Sequence, residues 1–261
     1  MRRLARTAAI AAAAIAVLSL VPAAAQAQEP GIDYVALGDS YSSGSGAGPY
    51  TDAVCQRSEK AHPPLIAEEL GADLTFVACG GATTDDVLTE QVQALDEVTD
   101  LVTIGIGGND IGWSDAIAAC IAPFQNCTPA IEEAERKAKQ ELPAKLDAVY
   151  AAIEERAPEA AVYVTGYPRL FAARNTCDAF GSISIAEQQR MNDAADLLSA
   201  VIEQAAASHG YTYVDVRDDF GGHEICSSQP WLHGFTLLDV SYHPKAAGHS
   251  GGYFPAVLGA L

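Results

Sequence analysis

Four short clusters in this chain carry the groups that acyl transfer requires. They are Gly38-Asp39-Ser40-Tyr41-Ser42-Ser43-Gly44, Gly80-Gly81-Ala82-Thr83, Gly107-Gly108-Asn109-Asp110 and Asp239-Val240-Ser241-Tyr242-His243-Pro244. Ser40 offers a hydroxyl nucleophile, and His243 offers a base to take its proton and return it to a leaving alcohol. The backbone N–H groups of Ser40 and Gly81, with the Asn109 side-chain amide, offer donors for a tetrahedral oxyanion. One such donor is worth on the order of 3 kcal/mol in the transition state. Each residue also has an ordinary reading. Ser40 could cap a helix, Gly81 could supply a positive φ, Thr83 or Thr84 could cap the helix opened by Asp85-Asp86, and Asn109 could sit in a turn. His243 could be a surface histidine. The combination is what points to chemistry.

The elements that must position these residues are legible as short apolar runs. Ile32–Leu37, Leu74–Ala78, Asp100–Ile106, Ala161–Thr165 and Tyr211–Val216 read as strands, each ending at Gly or polar residues. Between them, Leu142, Leu146, Val149 and Ile153 recur on one helical face, with Pro143 bending or restarting that helix. Met191, Ala195, Leu198, Ile202 and Ala205 form a second stripe closed by His209-Gly210, and a last helix is expected to start near Pro244-Lys245. Such β-α alternation predicts an α/β fold with a mainly parallel sheet and helices on both faces. Ligands in such folds bind outside the carboxyl ends of the strands, where the first three clusters stand.

In this order the clusters resemble the four blocks of the SGNH (GDSL-type) hydrolases: Gly38-Asp39-Ser40, Gly81, Gly107-Gly108-Asn109-Asp110 and His243-Pro244. They span residues 38 to 244, and Gly-Asp-Ser-Tyr-Ser-Ser-Gly with six cysteines is similar to the secreted bacterial lipase/esterase branch. The resemblance implies a three-layer α/β/α sandwich, flavodoxin-like, with a five-stranded parallel sheet. It implies disulfides 55–79, 120–127 and 177–226. Ser40 would be the nucleophile, His243 the base, and Ser40, Gly81 and Asn109 the oxyanion donors. The chain departs from the pattern in one place. Many members carry Asp three residues before the histidine, where this chain has Val240. Asp239 lies one residue further back, and the Ser241 backbone carbonyl is the preferred partner for His243, with the Asp239 carboxylate as the alternative.

Composition narrows the setting. Met1 to Ala27 reads as an export signal: Arg2, Arg3 and Arg6 precede an apolar run from Ala8 to Val21, and Ala25-Gln26-Ala27 offers a cleavage site. Residues 28–261 then form one domain, secreted and without stable membrane insertion, and expected to be monomeric. The formal charge of −19 disfavours nucleic acid and anionic headgroups as partners. Cys55, Cys79, Cys120, Cys127, Cys177 and Cys226 make an even set in an exported chain, and counting alone leaves 15 pairings for six cysteines. Cys120 and Cys127 enclose a short loop and suit a local pair. No cofactor or metal site is expected, since no His-Glu-x-x-His or Cys-x-x-Cys spacing occurs. Gly44-Ser45-Gly46-Ala47-Gly48-Pro49 fails as a dinucleotide loop at Pro49. His62, His209, His223, His233 and His249 are read as turn, cap or surface residues. The function expected is a secreted ester hydrolase acting on a small-molecule or lipid ester. A carbohydrate acetyl esterase is the alternative within that chemistry, and a non-catalytic secreted binding protein is the alternative outside it.

Overall fold

Strands and helices alternate because each β-branched or aromatic run stops at a glycine or polar turn and is followed by a helical stretch. The computed structural model describes residues 31–122, 126–237 and 240–261. The expected export signal and Asp239 lie outside the described residues. The chain forms β1 (Asp33–Gly38), α1 (Ser40–Ser43), the hairpin β2 (Tyr50–Asp52) and β3 (Arg57–Ser58), then α2 (His62–Leu70) and β4 (Asp73–Phe76). It continues through α3 (Thr84–Asp86), β5 (Leu101–Gly105), α4 (Trp113–Ile121), α5 (Thr128–Gln140) and α6 (Leu142–Arg156). Then come β6 (Ala161–Thr165), α7 (Ile185–Ser208) and β7 (Thr212–Val214). The described chain closes with α8 (Ala246–Gly248), a wide helical turn over His249–Tyr253, and α9 (Phe254–Ala260).

The main sheet has the order β4-β1-β5-β6-β7, parallel throughout. Counting only its own strands this is 2-1-3-4-5, the flavodoxin-like order, so the expected three-layer α/β/α sandwich is present. The connection through α2 runs one way from β1, while those through α4–α6 and α7 run the other way. Right-handed crossovers of opposite direction place helices on opposite faces. The packing agrees: α2 meets α9, and α5, α6 and α7 meet one another. The order reverses between β1 and β5, so the residues following these two strands face the switch-point crevice.

Local sequence explains the elements that matter. Every residue of β5 is buried, as a strand covered on both faces must be. Tyr34 of β1 and Thr103 of β5 share a buried hydrogen bond of 2.7 Å between their hydroxyls. The Pro143 expectation holds: α5 ends at Gln140, Glu141 stands between the two helices with φ −114, and α6 restarts with the proline in its first turn. Thr83 caps α3 in a reciprocal box with Asp86, and Ser184 caps α7 in the same way with Glu187. Met191, Ala195, Leu198, Ile202 and Ala205 are all buried. The last helical stretch, running from α8 into α9, starts at Ala246, just after the expected point. The three disulfides are Cys55–Cys79, Cys120–Cys127 and Cys177–Cys226, the pairing that the resemblance implied. The hairpin β2–β3 had no sequence signal, being only three and two residues long.

Candidate active site

Ser40 is the first residue of α1, two residues past the end of the β1 run. Asp39 caps the helix by accepting the Tyr41 N–H at 2.9 Å. The last peptide of β1 is held by buried Gln91, whose amide accepts from Gly38 N–H at 2.7 Å and donates to its carbonyl at 2.9 Å. Ser40 therefore stands on a backbone fixed from both sides. Ser40 N–H has no protein acceptor among the described residues, since Asp39 serves the amides that follow.

His243 reaches this serine from the far end of the chain. Its Nε2 lies 2.8 Å from Ser40 Oγ, and its Nδ1 lies 2.9 Å from the Ser241 carbonyl oxygen. A carbonyl can only accept, so Nδ1 carries the proton in that contact and the neutral ring presents Nε2 as acceptor to the serine hydroxyl. The histidine loop is positioned by side chains. Tyr41 donates to the Tyr242 carbonyl at 2.6 Å, Tyr242 donates to Asp178 at 2.9 Å, and the Phe235 amide donates to the same carboxylate at 2.8 Å. Tyr242 itself has φ +62, an uncommon conformation for a bulky residue and one that sets the direction of its neighbour His243. A glycine forms the seam. Gly46 accepts from the His233 ring at 2.9 Å and has φ +89. A Cβ there would lie 2.8 Å from the Pro244 carbonyl oxygen and 3.2 Å from the His243 Cβ.

The second and third clusters complete the wall. Gly81 has φ +82, and beyond its chain neighbours no atom of the described residues lies within 4 Å of where its Cβ would stand. Its N–H, like that of Ser40, has no protein acceptor among the described residues. Asn109 follows β5 and donates one amide hydrogen to the Ala82 carbonyl at 2.8 Å, which ties its side chain to the Gly81 turn. The second hydrogen on that nitrogen is uncommitted among the described residues. Asp110 is turned away, bound to Thr84 Oγ1 at 2.6 Å and to Lys145 at 3.3 Å.

Tyr167, which sequence reasoning did not select, joins two of the clusters. Its hydroxyl donates to buried Asp39 and accepts the Gly108 N–H at 3.2 Å. Burial pushes the Asp39 carboxyl up to about 7, with Asp110 adding to the shift and the Tyr167 and Tyr41 bonds opposing it. The signal available was position alone: Tyr167 stands two residues past β6, at the carboxyl edge of the sheet. A second difference concerns the histidines. His62 and His249 are not surface or cap residues but a buried pair, with Nδ1 atoms 3.3 Å apart and rings stacked on Tyr253. Burial holds both well below the ordinary histidine range, His249 at about 3, so they are neutral and do not supply the base.

These residues line a cavity of about 450 Å³. One side holds Ser40, Gly81, Asn109 and His243. The other is apolar: Trp113, Ile117 and Ile121 from α4, Leu198 from α7, and Leu170 and Phe235 from the loops. A serine hydroxyl on a neutral imidazole, beside unpaired donors at the switch point of a parallel sheet, is the arrangement of a serine hydrolase.

Comparison with known proteins gives the particular family. Residues 36–250 match the GDSL-like lipase/acylhydrolase family. The chain is 48% identical to Lipase 1 of Streptomyces coelicolor over 248 residues, covering 91% of each. The crystal structure of phospholipase A1 from Streptomyces albidoflavus superposes with a TM-score of 0.84 at 44% identity, covering 89% of this chain and 100% of that one. The extracellular lipase of Streptomyces rimosus superposes at 0.83 with 46% identity, over 88% and 99% of the two chains. The chain belongs to the GDSL-like lipase/acylhydrolase family and is a carboxylic ester hydrolase.

Proposed function

We propose that this chain is an exported lipase/esterase that cleaves esters of apolar acyl chains through an acyl-enzyme on Ser40. The observation that carries the reading is the 2.8 Å contact of Ser40 Oγ with His243 Nε2 at the wall of an apolar cavity. Ser40 Oγ attacks the ester carbonyl as Nε2 takes its proton, and the imidazolium is stabilised through Nδ1 by the Ser241 carbonyl. The oxyanion is received by Ser40 N–H, Gly81 N–H and the uncommitted Asn109 amide hydrogen. Collapse expels the alcohol, which takes the proton from His243. Water, activated by the same imidazole, then releases the acid and restores the serine.

The apolar wall favours fatty-acyl over acetyl esters. About 450 Å³ faced by Trp113, Ile117, Leu198 and Phe235 is far more apolar space than an acetyl group can fill. Export after removal of residues 1–27 and action as a monomer complete the proposal.

A fluorophosphonate probe tests the nucleophile. Labelling of the wild type and none of Ser40→Ala is expected, with kcat lower by about 10⁶-fold in the variant. An unlabelled wild type would refute the mechanism. A chain-length series of p-nitrophenyl esters tests the substrate, and activity confined to acetate would favour the acetyl esterase instead.

A further inference from the structure

The most exposed large apolar side chains of the described residues are Phe180 at 97%, Leu237 at 94% and Val54 at 90%. Single exposed apolar residues are ordinary. These three, however, sit on three separate loops, one of which lines the cavity while the other two reach it through Phe235. Val54, from the β2–β3 hairpin, lines it directly, as does Phe235. The Phe180 ring lies 6.0 Å from that of Phe235, and Leu237 follows Phe235 by two residues.

Phe180 is also displayed by a costly backbone. Ala179, Phe180 and Gly181 have φ of 48, 58 and 77, and non-glycine residues rarely adopt this left-handed region. The turn is anchored on its N-terminal side by the Cys177–Cys226 disulfide and by Asp178, which holds Tyr242 and Phe235. Across it, Gly181 N–H donates to the Asp178 carbonyl at 2.8 Å. The ring is therefore presented outward by a braced turn.

We propose that Phe180, Leu237 and Val54 form a docking rim that seats the enzyme on a neutral or zwitterionic lipid surface with the cavity mouth facing it. This rests on the ester-hydrolase reading and names the surface from which its substrate is drawn. Continuity supports a lipid over a second copy of the chain. The rim passes through Phe235 into the apolar wall, so an acyl chain moves from lipid to cavity without crossing water. Charge disfavours an anionic surface: a chain of formal charge −19 is repelled by acidic headgroups and binds through apolar area. Seating of this kind is peripheral, and no helix among the described residues is long and apolar enough to cross a membrane.

The test uses the full chain carrying Ser40→Ala, so that binding is read without turnover, with phosphatidylcholine vesicles and flotation. Binding is expected, with the pair Phe180→Asn and Leu237→Gln lowering the partition by at least about tenfold. Asparagine tolerates the left-handed backbone, so an unchanged thermal midpoint separates lost docking from lost fold. In the active enzyme, the same pair should leave kcat/KM on monomeric p-nitrophenyl butyrate unchanged. Hydrolysis of a fatty-acyl p-nitrophenyl ester carried in the vesicles should fall with the partition. Vesicles of phosphatidylglycerol should bind more weakly. The proposal is overturned if the Ser40→Ala chain stays in solution while the wild type cleaves the monomeric ester, or if the double substitution leaves binding intact. A lipid-free dimer dissociated by the same substitutions would assign the rim to self-association and also overturn it. Absence of monomeric-ester hydrolysis would instead refute the enzymatic reading, whatever the vesicles show.

Discussion

The two halves of the site are built by different means. Ser40, Gly81 and Asn109 stand at the ends of β1, β4 and β5, on backbone that the sheet already holds. The backbone leading to Ser40 is held further by buried bonds, those of Gln91 to Gly38. His243 stands on an irregular loop whose position depends on Tyr41, Tyr242, Asp178 and a disulfide. The sheet side inherits its rigidity from the core, whereas the histidine side has it assembled contact by contact. A site made this way is expected to fail differently on its two sides.

The largest effect that would separate them is loss of the Cys177–Cys226 bridge. Its ends are 49 residues apart, against 7 for Cys120–Cys127. The chain-entropy account gives the longer loop about 4 kcal/mol, and roughly 1.5 kcal/mol or more over the shorter one. Double serine variants of each pair, compared by denaturant melts, should show that order, with the longer also losing kcat. Equal effects would mean that the bridge does not hold the histidine side. Next is Asn109→Ala, on the sheet side. It should lower kcat by about 10²-fold, near 3 kcal/mol, with KM little changed, because the donor acts in the transition state. A change confined to KM would instead make Asn109 a ground-state binding residue.

A pH measurement sharpens the sheet side further. The Asp39 carboxyl has a folded value near 7, above its ordinary 3.8. The folded state thus holds this proton more tightly than the unfolded state. Its stabilising contribution is full below about 3.8 and is lost as pH rises through about 7. Asp39→Asn should therefore flatten the decline in thermal midpoint between mildly acid and mildly basic buffer. A parallel decline in both proteins would contradict the shift. The smallest effect expected is Tyr242→Phe, which removes one bond to Asp178 and leaves that carboxylate one donor short. It should cost on the order of 1 kcal/mol in stability. A modest fall in kcat should accompany it, and an unaffected kcat would show that the Tyr41 bond alone positions the loop.

How far the sequence revealed this molecule follows the same division. The runs at β1, β5 and β6 are mainly apolar and stop at Gly or polar residues, so both the strands and the residues at their ends could be read. β7 is shorter than the Tyr211–Val216 run, because it pairs on one side only and Asp215 turns to bind Arg217. The histidine side was legible only as His243-Pro244. Asp178 and Tyr242 are 64 positions apart, and no periodicity connects residues that meet through a loop. Tyr167 was hidden for the same reason, since its partners Asp39 and Gly108 are distant in the chain. The buried pair His62 and His249 escaped because polar residues that stack in a core leave no trace in a hydrophobic pattern.

Gly46 carries no reacting group and packs against the histidine loop. The clearance it leaves, 3.2 Å from a would-be Cβ to the histidine's own Cβ, acts as a spacer of zero thickness. Any side chain there would press on the Pro244 carbonyl and on His243 without replacing either Ser40 or the histidine. Turnover in this enzyme is thus vulnerable to drift at a position that carries no chemistry, and a survey of inactive natural variants restricted to serine and histidine would overlook it.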